Sequence, residues 1–354
     1  MAANAPDLAP RRFVRLFLAS ALTVALGAAG AVVAADPYGL RQQPGALPGP
    51  LMDLNQRYMY PQIARSRLFD AAIFGTSTIR LVDPAALSDK LGMRVANLGM
   101  NAATPWEQLQ LARLYLREVP APRLIVMGID TTWCEPDADA PEKTTTFRSF
   151  PPWLYDGIAP ADLIELVNLK SVEIAGRVAL HKAGLMPERI RADGFEIFTP
   201  PEASYDLARA RWHIWGGDGT PQARAPHVPP APAFTGRLPA LDWLAGFLGE
   251  VPRATRIVLV LPPVHVAAQA LPGSARAAEV EACRARLGAI AQHSGAALMD
   301  FMRDSAITRE DANYWDPLHY RLPIAQRLTR SIAEVVQGSR AGDEAFDLVA
   351  PGAH

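Results

Sequence analysis

Near its carboxyl end, in "NYWDPLHYRLPIAQRL" (Asn313 to Leu328), the chain places Asp316 three residues before His319. Residues three apart on a turn face the same side, so the two side chains can share one partner. An imidazole held by a carboxylate is the base that activates a serine: it takes the hydroxyl proton, while the carboxylate fixes its tautomer and stabilises the cation that forms. The same spacing also suits a plainer arrangement, with Asp316 capping a helix and His319 at the surface. A nucleophile and an oxyanion site elsewhere in the chain would separate the two.

"IFGTSTIR" offers the nucleophile. An apolar run entering Gly75, Thr76 and Ser77 just before a helix exposes a hydroxyl at a strand's carboxyl end, where free helix amides favour an anion. Ser and Thr are also preferred helix caps, and capping alone would account for Ser77. "ANLGMNAAT" offers the oxyanion donors. Glycine at a strand end lets a substrate approach the backbone, so the Gly99 N–H can point at a developing oxyanion, and Asn101 adds a side-chain amide two residues on.

These groups need a scaffold that gathers strand ends. Short apolar runs that close in small or polar residues recur at 71–77, 93–101, 123–130, 256–263 and 296–302. Helical stretches lie between them, such as "TPWEQLQLARLYLREV", with Thr104 as cap, Pro105 at the first helical position and Glu107 completing a capping box. Strands alternating with helices predict βαβ units, hence an α/β fold: a three-layer α/β/α sandwich around a mostly parallel sheet. Ligands of such sheets sit beyond the strands' carboxyl ends, here Thr76 and Ser77, Gly99 and Asn101, Asp130, and His265.

The alternation breaks over about 131–250, a Pro- and aromatic-rich stretch containing one good helical pattern, "ADLIELVNLKSVEIAGRVALHKAG". It reads as an insertion on the same side as the strand ends, either shaping a substrate groove or packing as a lid. The expected organisation is a tail at 1–15, an anchor at 16–35, a Pro/Gly-rich tether at 36–60, one domain at 61–340 holding the insertion, and a carboxyl tail at 341–354.

"LFLASALTVALGAAGAVVAA", Leu16 to Ala35, has no charged residue and follows Arg11, Arg12 and Arg15. About 20 apolar residues span a bilayer, and flanking arginines stay cytoplasmic, which predicts one N-in transmembrane helix in the inner (cytoplasmic) membrane and an extracytoplasmic, periplasmic body. A cleaved signal ending near Val33 and Ala35 is the competing reading.

With 35 basic and 36 acidic residues the net charge is -1, and no basic run argues for nucleic acid. Cys134 and Cys283 are far apart in sequence; an oxidising compartment permits their pairing, and two free thiols fit equally well. No Cys/His spacing points to a metal, and nothing calls for a cofactor.

Taken together and in this order, the motifs resemble the SGNH (GDSL-type) hydrolase superfamily, and within it the membrane-anchored envelope O-acylation and O-acetylation proteins. The resemblance covers about 70–130 and 255–335 and implies an SGNH/flavodoxin-like fold. "FGTSTIR" stands at the nucleophile block, implying Ser77; "NLGMN" at the glycine block, implying Gly99 as oxyanion donor; "DPLH" at the Asp-x-x-His block, implying Asp316 and His319. The implied activity is a serine esterase or O-acyltransferase acting on an acylated envelope glycan or small acyl ester, alongside a membrane acyltransferase or envelope complex. Trp212 and Trp215 are then available to stack on sugar rings.

The chain departs from the family pattern at "GID", where Asp130 replaces the usual asparagine. An ionised carboxylate cannot donate to an oxyanion, and losing one such donor costs about 2.7 to 4 kcal/mol of transition-state stabilisation. Asn101 would have to take over, or Asp130 be protonated, hold an arginine such as Arg80, or bind substrate. The alternative expectation is an inactive SGNH-like glycan-binding or assembly protein.

Overall fold

A computed structural model describes residues 8–157, 162–221 and 230–352. The helices are α1 (Leu8–Ala35), α2 (Gln56–Arg65), α3 (Pro84–Leu91), α4 (Pro105–Glu118), α5 (Asp162–Glu165), α6 (Leu169–Lys182), α7 (Leu207–Trp215), α8 (Pro239–Glu250), α9 (Ala275–Ser294), α10 (Ala306–Arg309) and α11 (Leu322–Val336). The strands are β1 (Ala71–Phe74), β2 (Val95–Asn97), β3 (Leu124–Gly128), β4 (Arg256–Leu261), β5 (Ala297–Asp300) and β6 (Asp347–Pro351).

They form one sheet in the order β2-β1-β3-β4-β5-β6, parallel throughout except that β6 runs antiparallel to β5. The parallel strands are covered on both faces, which is why they read as unbroken apolar runs rather than as alternation. Phe74, Met127 and Leu259 join one buried cluster with side chains of α2, α4, α8 and α9. Their neighbours Ile73, Val126 and Val260 join a second with α3 and α11. The chain is therefore α/β, with a six-stranded, mostly parallel sheet and one amino-terminal apolar helix.

Local signals acted where they stood. Thr104 and Glu107 make the reciprocal capping box that starts α4, and Gly295 ends α9 in the left-handed conformation at φ 70.

Other expectations need correction. The helical pattern at 161–184 is broken, because Asn168 leaves helical geometry and caps a new start by accepting from the Ser171 N–H. The insertion ends before α8, which packs on α4 and α9 as part of the crossover into β4. The segment after α1 is no loose tether: Tyr38, Leu51 and Met52 are buried, and α2 begins at Gln56. Asp36 adopts φ 48, with its carboxylate accepting from the N–H groups of Leu40 and Arg41, while the Arg41 guanidinium donates to the Val33 and Ala34 carbonyls. The carboxyl tail likewise supplies β6. Cys134 and Cys283 form a disulfide that ties the segment following Asp130 to α9.

Candidate active site

Ser77 sits on a tight turn beyond β1, closed by the Ile79 N–H to the Thr76 carbonyl at 3.2 Å. No helix begins there: α3 starts seven residues later with Asp83 as its cap, so capping does not explain the serine. The turn requires Gly75, whose φ of 149 and contact with Gly128 leave no room for a Cβ, which would meet Ile79 at 2.7 Å. The Ser77 N–H makes no hydrogen bond to the described residues.

His319 reaches the same point from the loop before α11. Its Nε2 lies 2.8 Å from Ser77 Oγ, and its Nδ1 lies 2.7 Å from Asp316 Oδ2. Asp316 does not cap α11, whose first turn follows Arg321. Its Oδ1 instead accepts from the N–H groups of Leu318 and His319 at 2.8 and 2.9 Å, which aims Oδ2 at the imidazole. Burial would raise the Asp316 carboxyl, but the hydrogen bond and charge of His319, with the two backbone donors, outweigh it and hold the group below the usual carboxylate range.

Three contacts that the sequence did not signal hold this loop in place. Tyr320 donates its hydroxyl to the Thr78 carbonyl at 2.6 Å, tying the histidine's loop to the serine's turn. The His265 N–H donates to the Pro317 carbonyl at 2.8 Å. Phe198, from the insertion, sets its ring edge-on to His319 at 5.4 Å between centroids. His265 itself is buried, with Nδ1 accepting from the Ala267 N–H and Nε2 lying 3.1 Å from Asp311, which also accepts from Trp215 and Arg211. Trp215 is thus committed to anchoring α7, and neither it nor Trp212 lines the cleft at Ser77.

The expected oxyanion donors are not available. The Gly99 N–H is taken by Asn97 Oδ1 at 3.0 Å, and a Cβ at Gly99 would meet Arg80 Cγ at 2.9 Å, so this glycine serves close packing and does not face the cleft. Asn101 accepts from Arg80 through Oδ1 at 2.5 Å and is not among the residues lining the cleft at Ser77, so it does not take over as an oxyanion donor there. Arg80 does not reach Asp130. It pairs with Glu196 at 2.5 Å and covers the Phe198 ring at 4.9 Å, so it backs the surface on which His319 rests.

Asp130 lies on the cleft wall with Ser77 and His319. Its Oδ2 accepts from the Thr76 hydroxyl at 2.6 Å; its Oδ1 accepts from the Thr132 N–H at 3.0 Å and from the Thr132 hydroxyl at 2.5 Å. Burial pushes its carboxyl upward despite these three donors. The cleft measures about 580 Å³ and presents a mainly apolar surface: of the threonines in its walls, Thr76 and Thr132 spend their hydroxyls on Asp130 and Thr104 on the Thr144 carbonyl, while Lys143 is held between Glu135 and Asp137 at its edge. Among the described residues no group of three His, Cys, Asp or Glu side chains is arranged to hold a metal ion.

Compared with protein-family models and with curated proteins, the chain matches none.

Proposed function

We propose that the chain is an exported, membrane-anchored serine esterase or O-acyltransferase of the SGNH type, acting on acyl groups of an envelope glycan or a small acyl ester. The observation that carries this reading is the continuous Ser77–His319–Asp316 relay, 2.8 and 2.7 Å long in its two steps, opening into the cleft beyond the parallel strands. Nε2 accepts the Ser77 proton as Oγ attacks the acyl carbonyl, and Asp316 stabilises the imidazolium. The Ser77 N–H, on the cleft wall, is the open donor for the tetrahedral oxyanion. The imidazolium returns its proton to the departing alkoxide, leaving an acyl-serine, which water or a sugar hydroxyl then attacks with His319 again as base.

The apolar clusters on the two sheet faces support a three-layer α/β/α sandwich. The arginines before the apolar helix support an N-in anchor, and the disulfide supports a body outside the reducing cytoplasm. Such an anchor places the cleft within reach of a membrane acyltransferase or envelope complex.

Covalent labelling tests the reading. The full chain in detergent micelles should react with a fluorophosphonate probe, and Ser77→Ala should not. Labelling that survives the substitution removes Ser77 from the role. Absence of labelling in the unaltered chain favours a non-catalytic glycan-binding or assembly protein, a reading to which Asp130 lends weight by standing on the wall where negative charge would develop.

A further inference from the structure

The surface around α6 is unlike the rest of the body. Leu169 is 89% exposed, Val172 44% and Leu180 42%, and the approach to the helix adds Ile164 at 76% and Val167 at 64%. Along α6 the outward positions Leu169, Val172, Gly176 and Ala179 recur at helical spacing, so they form a stripe. A water-facing helix would direct its charges outward. Here Lys170 and Arg177 fold back to Asp53, at 2.5 and 2.9 Å, and also pair with Glu173, an exposed charge beside the stripe, so the charges along it cancel.

The inner face of α6 says what lies outside it. Ile174, Ala175 and Val178 share a buried cluster with Val32 of α1, and Tyr38, just beyond α1, meets Ser171 with its hydroxyl at 3.1 Å. The packed turns of α1 are therefore the last two, Ala28 to Ala35. Counted from Leu16, the first residue after the arginines, the apolar run rises about 30 Å, the thickness of a bilayer core, and its last eight residues occupy the outermost ~12 Å. That span includes the depth to which interfacial helices bury their apolar face, about 5–10 Å.

We infer that α6, with the end of α5 and the residues up to Val167, is an interfacial helix that lies in the surface of the lipid bilayer spanned by α1. The inference rests on the anchored reading of α1 made above. Any bilayer that takes up the last turns of α1 meets α6 beside them, and the stripe of leucine, valine and alanine is the face it meets.

Site-directed nitroxide labelling of the full chain in phosphatidylethanolamine/phosphatidylglycerol vesicles tests this. Single labels at Leu169→Cys and Val172→Cys are compared with Phe17→Cys inside α1 and Arg330→Cys on the exposed face of α11. The expected result is that both α6 labels collide with dissolved oxygen more than with an aqueous nickel chelate, as at Phe17 and opposite to Arg330. Chelate-dominated collisions at Leu169 and Val172 with a lipid signature at Phe17 would overturn the interfacial helix and leave the anchor standing. Low collision with both reagents would mean that protein covers the stripe, which overturns a lipid partner. An aqueous signature at Phe17 as well would remove the anchor and this inference with it.

Discussion

Asp316→Asn is the sharpest perturbation of the relay, because the structure dictates which way the new amide must face. The two N–H groups of Leu318 and His319 demand an acceptor at the position of Oδ1, so the amide nitrogen is left facing His319 Nδ1 across 2.7 Å. Nδ1 must then accept, the ring proton moves to Nε2, and the atom 2.8 Å from Ser77 Oγ becomes a donor that cannot take the serine's proton. Flipping the amide would restore the tautomer but strand both backbone donors at about 1 to 3 kcal/mol each, so at the lower bound of about 2 kcal/mol the competent form falls to roughly one part in 30. Adding the lost stabilisation of the imidazolium takes the expected fall in rate towards about 10⁴, or about 5.4 kcal/mol. The assay is the second-order rate of fluorophosphonate labelling, with p-nitrophenyl acetate hydrolysis as a second readout and thermal unfolding as the control for folding. A variant that unfolds like the unaltered chain yet labels within threefold of its rate would refute the assignment of Asp316 as orienter of His319.

Tyr320→Phe removes the buried tie between the two loops and leaves the Thr78 carbonyl without its donor, so urea unfolding should show a loss of about 1 to 3 kcal/mol, together with slower labelling of Ser77. Cys283→Ser opens a link across 149 residues and should cost about 2 to 5 kcal/mol in the same assay, with reductant added to the unaltered chain reproducing the shift. Asp130→Asn should show a pH signature. A carboxyl raised in the folded state binds its proton more tightly there than in the unfolded chain, so the unaltered protein has no penalty below the unfolded value of about 3.9 and loses stability as pH climbs from there through the higher folded value. The variant lacks this titration, so its stability relative to the unaltered chain should increase over that window; unfolding curves that keep a constant offset from pH 3 to 7 would contradict the burial of Asp130.

The strand ends were legible because parallel strands buried on both faces leave continuous apolar runs, and the residue at which each run stops is where a ligand site opens. Asp316 and His319 were legible as a pair for a local reason: one turn carries both, and the same turn's amides aim the carboxylate. The environment of Gly99 could not be read from its neighbours. Whether its amide is free depends on how Asn97, two residues earlier, turns its side chain, and Asn97 is held by the carbonyls of Ile79, Arg80 and Val82 from another segment. Arg80 was beyond reach for a similar reason, since its partner Glu196 lies 116 positions away in the irregular insertion. The prolines and glycines of 36–60 suggested slack chain, yet Tyr38, Leu51 and Met52 find apolar surface to cover, and composition records backbone habit without recording such contacts.

The exit from α1 sets the mechanical character of the molecule. With Asp36 bent into a left-handed turn, its carboxylate gripping two amides and Arg41 clasping the last carbonyls of the helix, α1 is tied to the body by its own exit. Any tilt of the stalk is inherited by the six strands, and the mouth beside Ser77 keeps one heading relative to it. On the anchored reading proposed above, the cleft would then stand at one height over the bilayer, and what reaches it would have to come to that height.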